Sequence, residues 1–331
     1  MRWLITGGCG FIGLSLISEL LDQGDHHIRV LDNLSVGSKE GLAAISSLTL
    51  FNGEAGQACG AIGTNGGNNI DLVVADIRNA GPLLAAAEGA DVIVHLAANT
   101  GVAPSVADPR SDCEINVMGV LNALEAARGQ SVSRFVFASS GAPIGEVVPP
   151  IHEEMPAHPV SPYGASKLAG EGYCSAYFRT FGVQTVALRF GNVYGPGSGH
   201  KDSVIAKFIR RALKGEELVV YGDGSQTRDF LYITDLVNAV TRAASKPGIG
   251  GEVFQIASNR ETSVTEIVNA LHEVLGRAGI DGVKVRNDAP RQGDVMRNFS
   301  DTSKAAMLLG WEPKTTLDSG LKTTIDWFVS G

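Results

Sequence analysis

Tyr163 and Lys167 stand four residues apart at the start of a predicted helix entered through Pro162, a spacing that sets both side chains on one face. Ser139-Ser140 closes the apolar run Phe135–Phe137, at the C-terminal end of a predicted strand, where open α/β sheets bind their ligands. A phenol of ordinary pKa, near ~10, is a poor base at neutral pH, and a neighbouring ammonium is expected to draw it toward phenolate. Together the three groups suit proton removal from an alcohol, with Tyr163 as base, Ser140 holding the same oxygen and Lys167 supplying charge. Taken alone, the Tyr–Lys pair has a bland alternative, an exposed tyrosine beside an exposed lysine.

A glycine-rich turn gives that chemistry an electron acceptor. Thr6-Gly7-Gly8-Cys9-Gly10-Phe11-Ile12-Gly13 falls between a first apolar run, Trp3–Ile5, and a helical pattern, Phe11–Leu21. Glycine lets the backbone turn tightly and approach a pyrophosphate, and the head of the following helix offers N–H groups and a positive dipole end. A glycine turn kept only for packing is the alternative. Asp32, after the second predicted strand and 19 residues beyond Gly13, is placed to accept hydrogen bonds from an adenosine ribose. A carboxylate there repels a 2′-phosphate, which favours NAD over NADP. Asp76 ends the third predicted strand, either facing the adenine amino group or capping a turn. With NAD in place, the hydride of an alcohol carbon has a destination, and the cationic nicotinamide further favours the Tyr163 phenolate.

These residues need a parallel sheet to position them, and the pattern supplies one. Nearly continuous apolar runs at Trp3–Ile5, Ile28–Leu31, Leu72–Val74, Val92–Leu96, Phe135–Phe137 and Val183–Leu188 read as strands covered on both faces. Helical patterns at Phe11–Leu21, Leu83–Ala87, Asp112–Arg128 and Pro162–Phe181 alternate with them, as βαβ units require. Asn52–Asn69 is rich in Gly and Asn and reads as a surface loop without chemistry. Beyond Asn192 the chain looks like a smaller α+β region, with helices predicted at Val204–Lys214, Thr234–Ala244 and Val264–Leu275 and strands at Leu218–Tyr221, Val253–Ile256 and Val283–Arg286.

The 331 residues include 41 glycines, are 44% hydrophobic and 19% charged, and carry a net charge of −8, so a disordered, collagenous or coiled-coil chain is excluded. At roughly 150 residues per domain, the length suggests two domains, or one with a large extension. The acidic balance shows no basic patch for nucleic acid, and no apolar run nears the ~18 residues of a membrane span. Strand-like sequence from Arg2 leaves no room for a signal peptide, and Cys9, Cys59, Cys113 and Cys174 show neither CxxC nor disulfide-rich spacing. The expectation is a cytoplasmic protein with no metal site and no membrane partner.

The ordered set Thr6–Gly13, His95-Leu96-Ala97-Ala98, Asn116-Val117-Met118-Gly119, Ser139-Ser140, Tyr163-Gly164-Ala165-Ser166-Lys167 and Arg189-Phe190-Gly191-Asn192-Val193-Tyr194-Gly195 resembles the extended short-chain dehydrogenases/reductases. Within them the chain is most similar to the NAD-dependent nucleotide-sugar epimerases of the UDP-glucose 4-epimerase type. The resemblance covers nearly the whole chain. It implies an α/β fold: a Rossmann-type doubly wound parallel sheet binding NAD over residues 1–190, with 225–258 returning to it, and a smaller C-terminal α+β domain over 191–331 for the nucleotide-sugar. It implies cofactor contacts at Gly7, Gly10, Phe11, Ile12, Gly13, Asp32, Asn33, Ser35, Asp76, Ile77, Leu96, Ala97, Ala98, Asn116, Tyr163 and Lys167. On the substrate side it implies Thr100, Ser140 and Asn192, a uracil pocket at Val204 and Tyr221, diphosphate arginines Arg228 and Arg291, and the ribose-holding Asp294. Each Arg taken singly would more often be a surface ion pair. It also implies a homodimer joined through Asp112–Arg128 and Pro162–Phe181, whose apolar faces could equally be ordinary core.

The implied reaction is 4-epimerisation of a UDP-hexose or UDP-hexuronate through a transient 4-keto sugar. Departures bear on it. The Val-Tyr-Gly that often follows the catalytic Ser is replaced by Gly141-Ala142-Pro143-Ile144-Gly145, and the Thr-Asp-Glu cluster of 4,6-dehydratases is absent, as is the Glu of uronate decarboxylases. Uronate decarboxylation or another nucleotide-sugar oxidoreduction is the second reading, and a non-catalytic NAD-binding sensor the third. His200-Lys201 would either meet a sugar carboxylate or cap a solvated loop, and Asn298 stands where residue size admits or excludes an N-acetyl group.

Overall fold

The computed structural model describes residues 1–63, 70–290 and 295–330. They divide into two compact units: Met1–Gly145 with Met155–Arg189 and Val237–Phe254, and Glu146–Glu154 with Phe190–Leu236 and Gln255–Gly331. The first thus keeps a shorter returning segment than 225–258, and 146–154 leaves it for the second.

The first unit runs β1 (Arg2–Thr6), α1 (Phe11–Gln23), β2 (His27–Asp32), α2 (Lys39–Ala43), β3 (Leu48–Asn52), β4 (Ile70–Val74), α3 (Ala80–Ala86), β5 (Val92–His95), α4 (Val102–Ala107), α5 (Pro109–Cys113), a π-helical turn Glu114–Met118, α6 (Gly119–Gly129), β6 (Arg134–Ser140), α7 (Pro162–Phe181) and β7 (Thr185–Phe190). The α/β expectation holds. With the later β12 (Glu252–Ile256), these strands form an eight-stranded sheet in the order β12-β7-β6-β5-β1-β2-β4-β3. β1 lies between β2 and β5 and is parallel to both, with Thr6 opposite Leu31 on one side and His95 on the other. The chain leaves β1 first toward β2 and later toward β5, so the strand order reverses there. The C-terminal ends of β1 and β5 therefore bound the crevice where doubly wound sheets take ligands. Continuous burial of Val92–His95 and of nearly all of β1, β2 and β6 explains why their sequences read as unbroken apolar runs.

Two parts of this unit differ from expectation. The predicted helix Asp112–Arg128 is not one regular element: α5 is capped by Asp108, whose side chain accepts from Ser111 N–H, and gives way to the π turn before α6. The Gly/Asn-rich stretch begins within β3 and is anchored where described. Fully buried Arg29 on β2 donates to the carbonyls of Gly60 (2.9 Å), Cys59 (3.2 Å) and Ala86 (3.2 Å) and pairs with Asp71 at 2.8 Å. Cys59 and Ile62 are buried in the core. Residues 64–69 lie outside the described residues.

The second unit contains β8 (Asn192–Tyr194), α8 (Val204–Leu213), β9 (Leu218–Tyr221), β10 (Thr227–Arg228) and β11 (Phe230–Tyr232). After these come α9 (Ile233–Ser245) and β12 (Glu252–Ile256), both shared with the first unit, then β13 (Thr262–Ser263), α10 (Val264–Arg277), β14 (Val285–Asp288) and α11 (Leu317–Ser330). Its strands make two-stranded pairs, β8 with β11, β9 with β14 and β10 with β13. The predicted helices are present, whereas β14 lies two residues beyond the predicted Val283–Arg286. α10 opens on a reciprocal cap between Ser263 and Glu266. Asp235 fastens the chain ahead of α11: its carbonyl accepts from Trp311 Nε1, and its carboxylate accepts the N–H groups of Lys314 and Thr315.

Candidate active site

Three features of local sequence bring α7 to the sheet. Ser161 caps it by accepting from Gly164 N–H, and Pro162 occupies the first turn, where no N–H is needed. Gly170 then permits close approach, since a Cβ there would fall 2.5 Å from the Phe137 ring on β6. Lys167, one turn earlier, is buried, and its Nζ donates to the Ala138 carbonyl at 2.9 Å and lies 5.0 Å from the Phe137 ring centroid. The same Nζ is 5.9 Å from the ring centre of Tyr163. Ser140, at the end of β6, acts on the Tyr163 side chain so as to favour its phenolate, and its Oγ accepts from Ala142 N–H at 3.2 Å. The three groups expected to do chemistry are thus one cluster.

Its electrostatics differ from the sequence expectation. Burial lowers Lys167 to about 8, opposed by the negative charges of Asp112 and Glu171. Tyr163 is raised rather than lowered, because burial, seconded by Asp112, outweighs the opposing influence of Ser140. The protein's own groups therefore store the phenol in its protonated form, and a cationic ligand above it is what would release the proton. His95, buried beneath this edge, accepts or donates at Nδ1 with Thr6 Oγ1 (2.9 Å), and burial lowers it to about 3, so it is neutral.

The cofactor-side residues gather along the C-terminal edge of the same sheet. Gly7 has φ +69°, and a Cβ there would stand 2.7 Å from Ala97 N, so the β1 and β5 turns touch backbone to backbone. The same turn closes Gly13 onto Gly8, at 2.5 Å for a hypothetical Cβ. Gly10 is the N-cap of α1; no side chain caps that end and no acid stands in its first turn, which leaves the head of Phe11, Ile12 and Gly13 suited to an anion. Asp32 accepts from Cys9 N–H (3.0 Å) and Leu34 N–H (2.8 Å), one bond per carboxylate oxygen, which leaves lone pairs for ribose hydroxyls. Asn33 Nδ2 donates to Asp76 at 3.0 Å, and Ser35 N–H returns to Asn33 Oδ1. Asp76 is held low, at about 2, chiefly by Arg78, whose backbone N–H it also accepts, so it does cap a turn. Ile77 is buried, while Leu96, Ala97 and Ala98 are half-buried and Thr100 is exposed beyond β5. Asn116 is enclosed: Oδ1 accepts from Asn99 N–H (2.8 Å), and Nδ2 faces Asn99 O, Asp112 Oδ1 and Ser166 Oγ. Its amide ties three segments together. The glycine cradle, uncapped helix head and ribose-ready Asp32 fit a dinucleotide.

On the second unit, Asn192, Val204, Tyr221 and Arg228 line one cavity of about 230 Å³, walled also by Lys207 and Phe230. Arg228 Nη1 donates to the carbonyls of Thr227 (2.7 Å) and Val295 (2.6 Å), which aims a fixed guanidinium at this region. Arg291 and Asp294 lie outside the described residues. His200 is exposed, as a loop tip would be, and Lys201 is half-buried.

Several participants are absent from the motif reading. Lys207 is signalled only by its place one turn after Val204 on amphipathic α8. Glu171, four residues after Lys167, is buried and bidentate with Arg189 (2.8 and 2.7 Å), and it accepts from Ser139 Oγ at 2.6 Å. Asp112 is buried beside Asn116. No helix among the described residues is long and apolar enough to cross a membrane.

Comparison with known proteins agrees with this arrangement. Residues 3–257 match the NAD dependent epimerase/dehydratase family. A UDP-glucose 4-epimerase of Mycolicibacterium smegmatis is 36% identical over 332 residues, covering 99% of this chain and 98% of the relative. The crystal structure of a Thermotoga maritima UDP-glucose 4-epimerase with UDP-glucose superposes with a TM-score of 0.86 at 34% identity, covering 100% and 99% of the two chains. A Thermus thermophilus UDP-glucose 4-epimerase in complex with NAD gives 0.83 at 32% identity, covering 99% of each. With its glycine cradle, its Ser–Tyr–Lys cluster and a family match over more than three quarters of its length, this chain belongs to the NAD dependent epimerase/dehydratase family.

Proposed function

We propose that this protein is an NAD-dependent nucleotide-sugar 4-epimerase acting on a UDP-linked hexose or hexuronate. The observation that carries the reading is the cluster of Ser140, at the end of β6, with Tyr163 and Lys167 on one face of the first turns of α7, the Lys167 Nζ 5.9 Å from the Tyr163 ring centre. Held in this site, NAD+ would supply the acceptor, and afterwards the donor, of the sugar's C4 hydride. Tyr163 takes the O4 proton, and Ser140 holds that oxygen through the step. Lys167 keeps positive charge beside the developing phenolate. The residues for the cofactor are the Gly7–Gly13 turn, Asp32 and the Leu96–Ala98 edge, and the first unit is its domain. Asn192, Val204, Tyr221 and Arg228 bind the nucleotide, Arg228 by charge-assisted hydrogen bonds to the diphosphate.

The relatives' substrates support a UDP sugar. Four free cysteines, three of them buried, support a reducing cytoplasm. Exposed Met118, Tyr173 and Phe181, on the π turn and α7, support a homodimer through these helices. The test is incubation of the purified protein with a panel of UDP-sugars without added reductant, products being resolved by NMR. C4 epimers from the wild type, and none from Tyr163→Phe with NAD still bound, are expected; net oxidation, water loss or CO2 release would reject the reading.

A further inference from the structure

Asp112 is 1% exposed. Its Oδ1 accepts from Asn116 Nδ2 at 2.9 Å, and its Oδ2 is buried with no hydrogen-bond partner among the described residues. The same Asn116 Nδ2 reaches Ser166 Oγ at 3.2 Å, and that hydroxyl donates to the Tyr163 carbonyl at 3.0 Å. A continuous polar chain thus runs from α5 through the π turn into the first turn of α7. Asn116, on the π turn, reaches Asp112 and Ser166 at once.

Two acids influence the buried Lys167 ammonium, Asp112 and Glu171. Glu171 is already neutralised by its bidentate pairing with Arg189. Asp112 has no ion-pair partner of its own among the described residues. A buried, half-satisfied carboxylate is costly unless a charge nearby compensates it. We propose that Asp112 is a positioning residue of the Tyr163–Lys167 pair: Oδ1 fixes Asn116, and through Ser166 the first turn of α7, while Oδ2 supplies the counter-charge to the Lys167 ammonium. This rests on the reading of Tyr163 and Lys167 as the reacting groups.

The groups facing the pair are few. Lys167 faces Tyr163, Glu171 and Cys174 on its own helix, His95 on β5 and Asp112 on α5; Tyr163 faces Ser140 on β6 and Asp112. His95 and Cys174 are both kept neutral by burial, His95 lowered and Cys174 raised. Asp112 is therefore the one carboxylate without an ion-pair partner among the described residues that adds to the hold of both reacting groups on their protons, beside the larger effect of burial. Its negative charge favours the protonated form of each, so neutralising it lets both lose their protons at lower pH.

The experiment compares wild type, Asp112→Asn, Asp112→Ser and Asp112→Glu, each loaded with NAD, in kcat–pH profiles with UDP-glucose. The Asn and Ser variants are expected to move both limbs of the profile to lower pH by about one unit, with KM changed less than about twofold. The Glu variant, which keeps the charge, is expected to leave the limbs in place. Either neutral variant that folds suffices for the comparison. A separate readout needs no turnover: phenolate absorbance of Tyr163, taken as the difference between the Asp112 variant with and without Tyr163→Phe, should appear at lower pH when Asp112 is neutral. Unmoved limbs and an unmoved phenolate titration in an active enzyme overturn the inference. A wild type that forms no epimer instead overturns the functional reading, while the absorbance titration still decides the role of Asp112.

Discussion

Lys167 Nζ donates to the carbonyl oxygen of Ala138 at 2.9 Å, two residues before Ser140, so the ammonium and the serine hydroxyl are held by the same strand. Burial costs this lysine about two and a half pKa units, from 10.5 to about 8. Lys167→Met removes a desolvated ammonium but leaves the buried Asp112 carboxylate without its counter-charge, so the two effects on the fold oppose each other while the reaction is disabled. Melting is expected within a few degrees of wild type, with kcat lower by at least about 100-fold. The sign of the pH linkage follows from the depressed folded value. Between about 8 and 10.5 the unfolded chain holds this proton and the folded chain has released it, so stability from this group rises with pH across that window. Urea unfolding of wild type and Lys167→Met in parallel should show the wild type gaining about 3 kcal/mol relative to the variant from pH 8 to pH 10.5. A pH-independent difference between the two proteins would mean that the lysine is not desolvated as its burial implies.

Arg29 carries the second prediction. Its guanidinium is fully buried and serves Asp71 together with three backbone carbonyls around the Cys59–Gly60 turn. Arg29→Met leaves Asp71 as an uncompensated buried charge, so a loss of about 3–5 kcal/mol is expected in chemical denaturation. Adding Asp71→Asn should recover part of that loss, because it is the orphaned charge more than the missing pair that destabilises. Specific activity per folded molecule should be unchanged at low temperature, since no atom of this cluster belongs to the Ser140–Tyr163–Lys167 group.

These two residues mark how far the sequence could be read. Tyr163 and Lys167 were legible because helical spacing by itself puts them on one face, and the Gly7–Gly13 turn because glycine is needed where backbone meets backbone at 2.7 Å. Arg29 was not, for a single charge inside an apolar strand gives no periodic signal, and its partners lie between 30 and 57 residues away along the chain. Asp112 and Asn116 sit at ordinary helical spacing, yet Asn116 lies on a π turn that no hydrophobic pattern encodes, and its partners Asn99 and Ser166 come from distant segments. The upward shift of Tyr163 by the protein's own groups is illegible for a related reason. A neighbouring ammonium can be counted from sequence, whereas the burial that raises the phenol cannot.

Arg228 should separate binding from chemistry. Its guanidinium lines the cavity of the second unit and is braced by the Thr227 and Val295 carbonyls, so it arrives at a diphosphate already oriented. A charge-assisted hydrogen bond is worth about 1.5–3 kcal/mol, which converts to roughly 10- to 150-fold. Arg228→Ala is expected to raise KM for the UDP-sugar and Kd for UDP by such a factor, with kcat within about threefold. A fall in kcat at unchanged UDP affinity would remove this arginine from the nucleotide site.

Gly170→Ala tests whether the seating of α7 controls the reacting groups. Two effects compete. Alanine improves helix propensity by up to ~1 kcal/mol over glycine, but its Cβ would fall 2.5 Å from the ring of Phe137, which is fully buried and cannot swing away. Overpacking a closed core costs about 1–3 kcal/mol, so the clash wins and net destabilisation of about 1–2 kcal/mol is expected. Gly172, two residues on, provides the control, because a Cβ there meets nothing within 4 Å. Gly172→Ala should be neutral or stabilising, with unchanged kcat. The two alanine variants thus carry the same propensity gain and differ only in contact with the sheet. Relief of the clash requires α7 to lift from β6, and Lys167 would then lose its reach to the Ala138 carbonyl. Gly170→Ala is accordingly expected to lower kcat about tenfold or more while NAD affinity falls less. Equal kcat in both variants would show that the Tyr163–Lys167 geometry tolerates a shift of the helix, and that the 2.9 Å bond to Ala138 is not what holds the reaction in register.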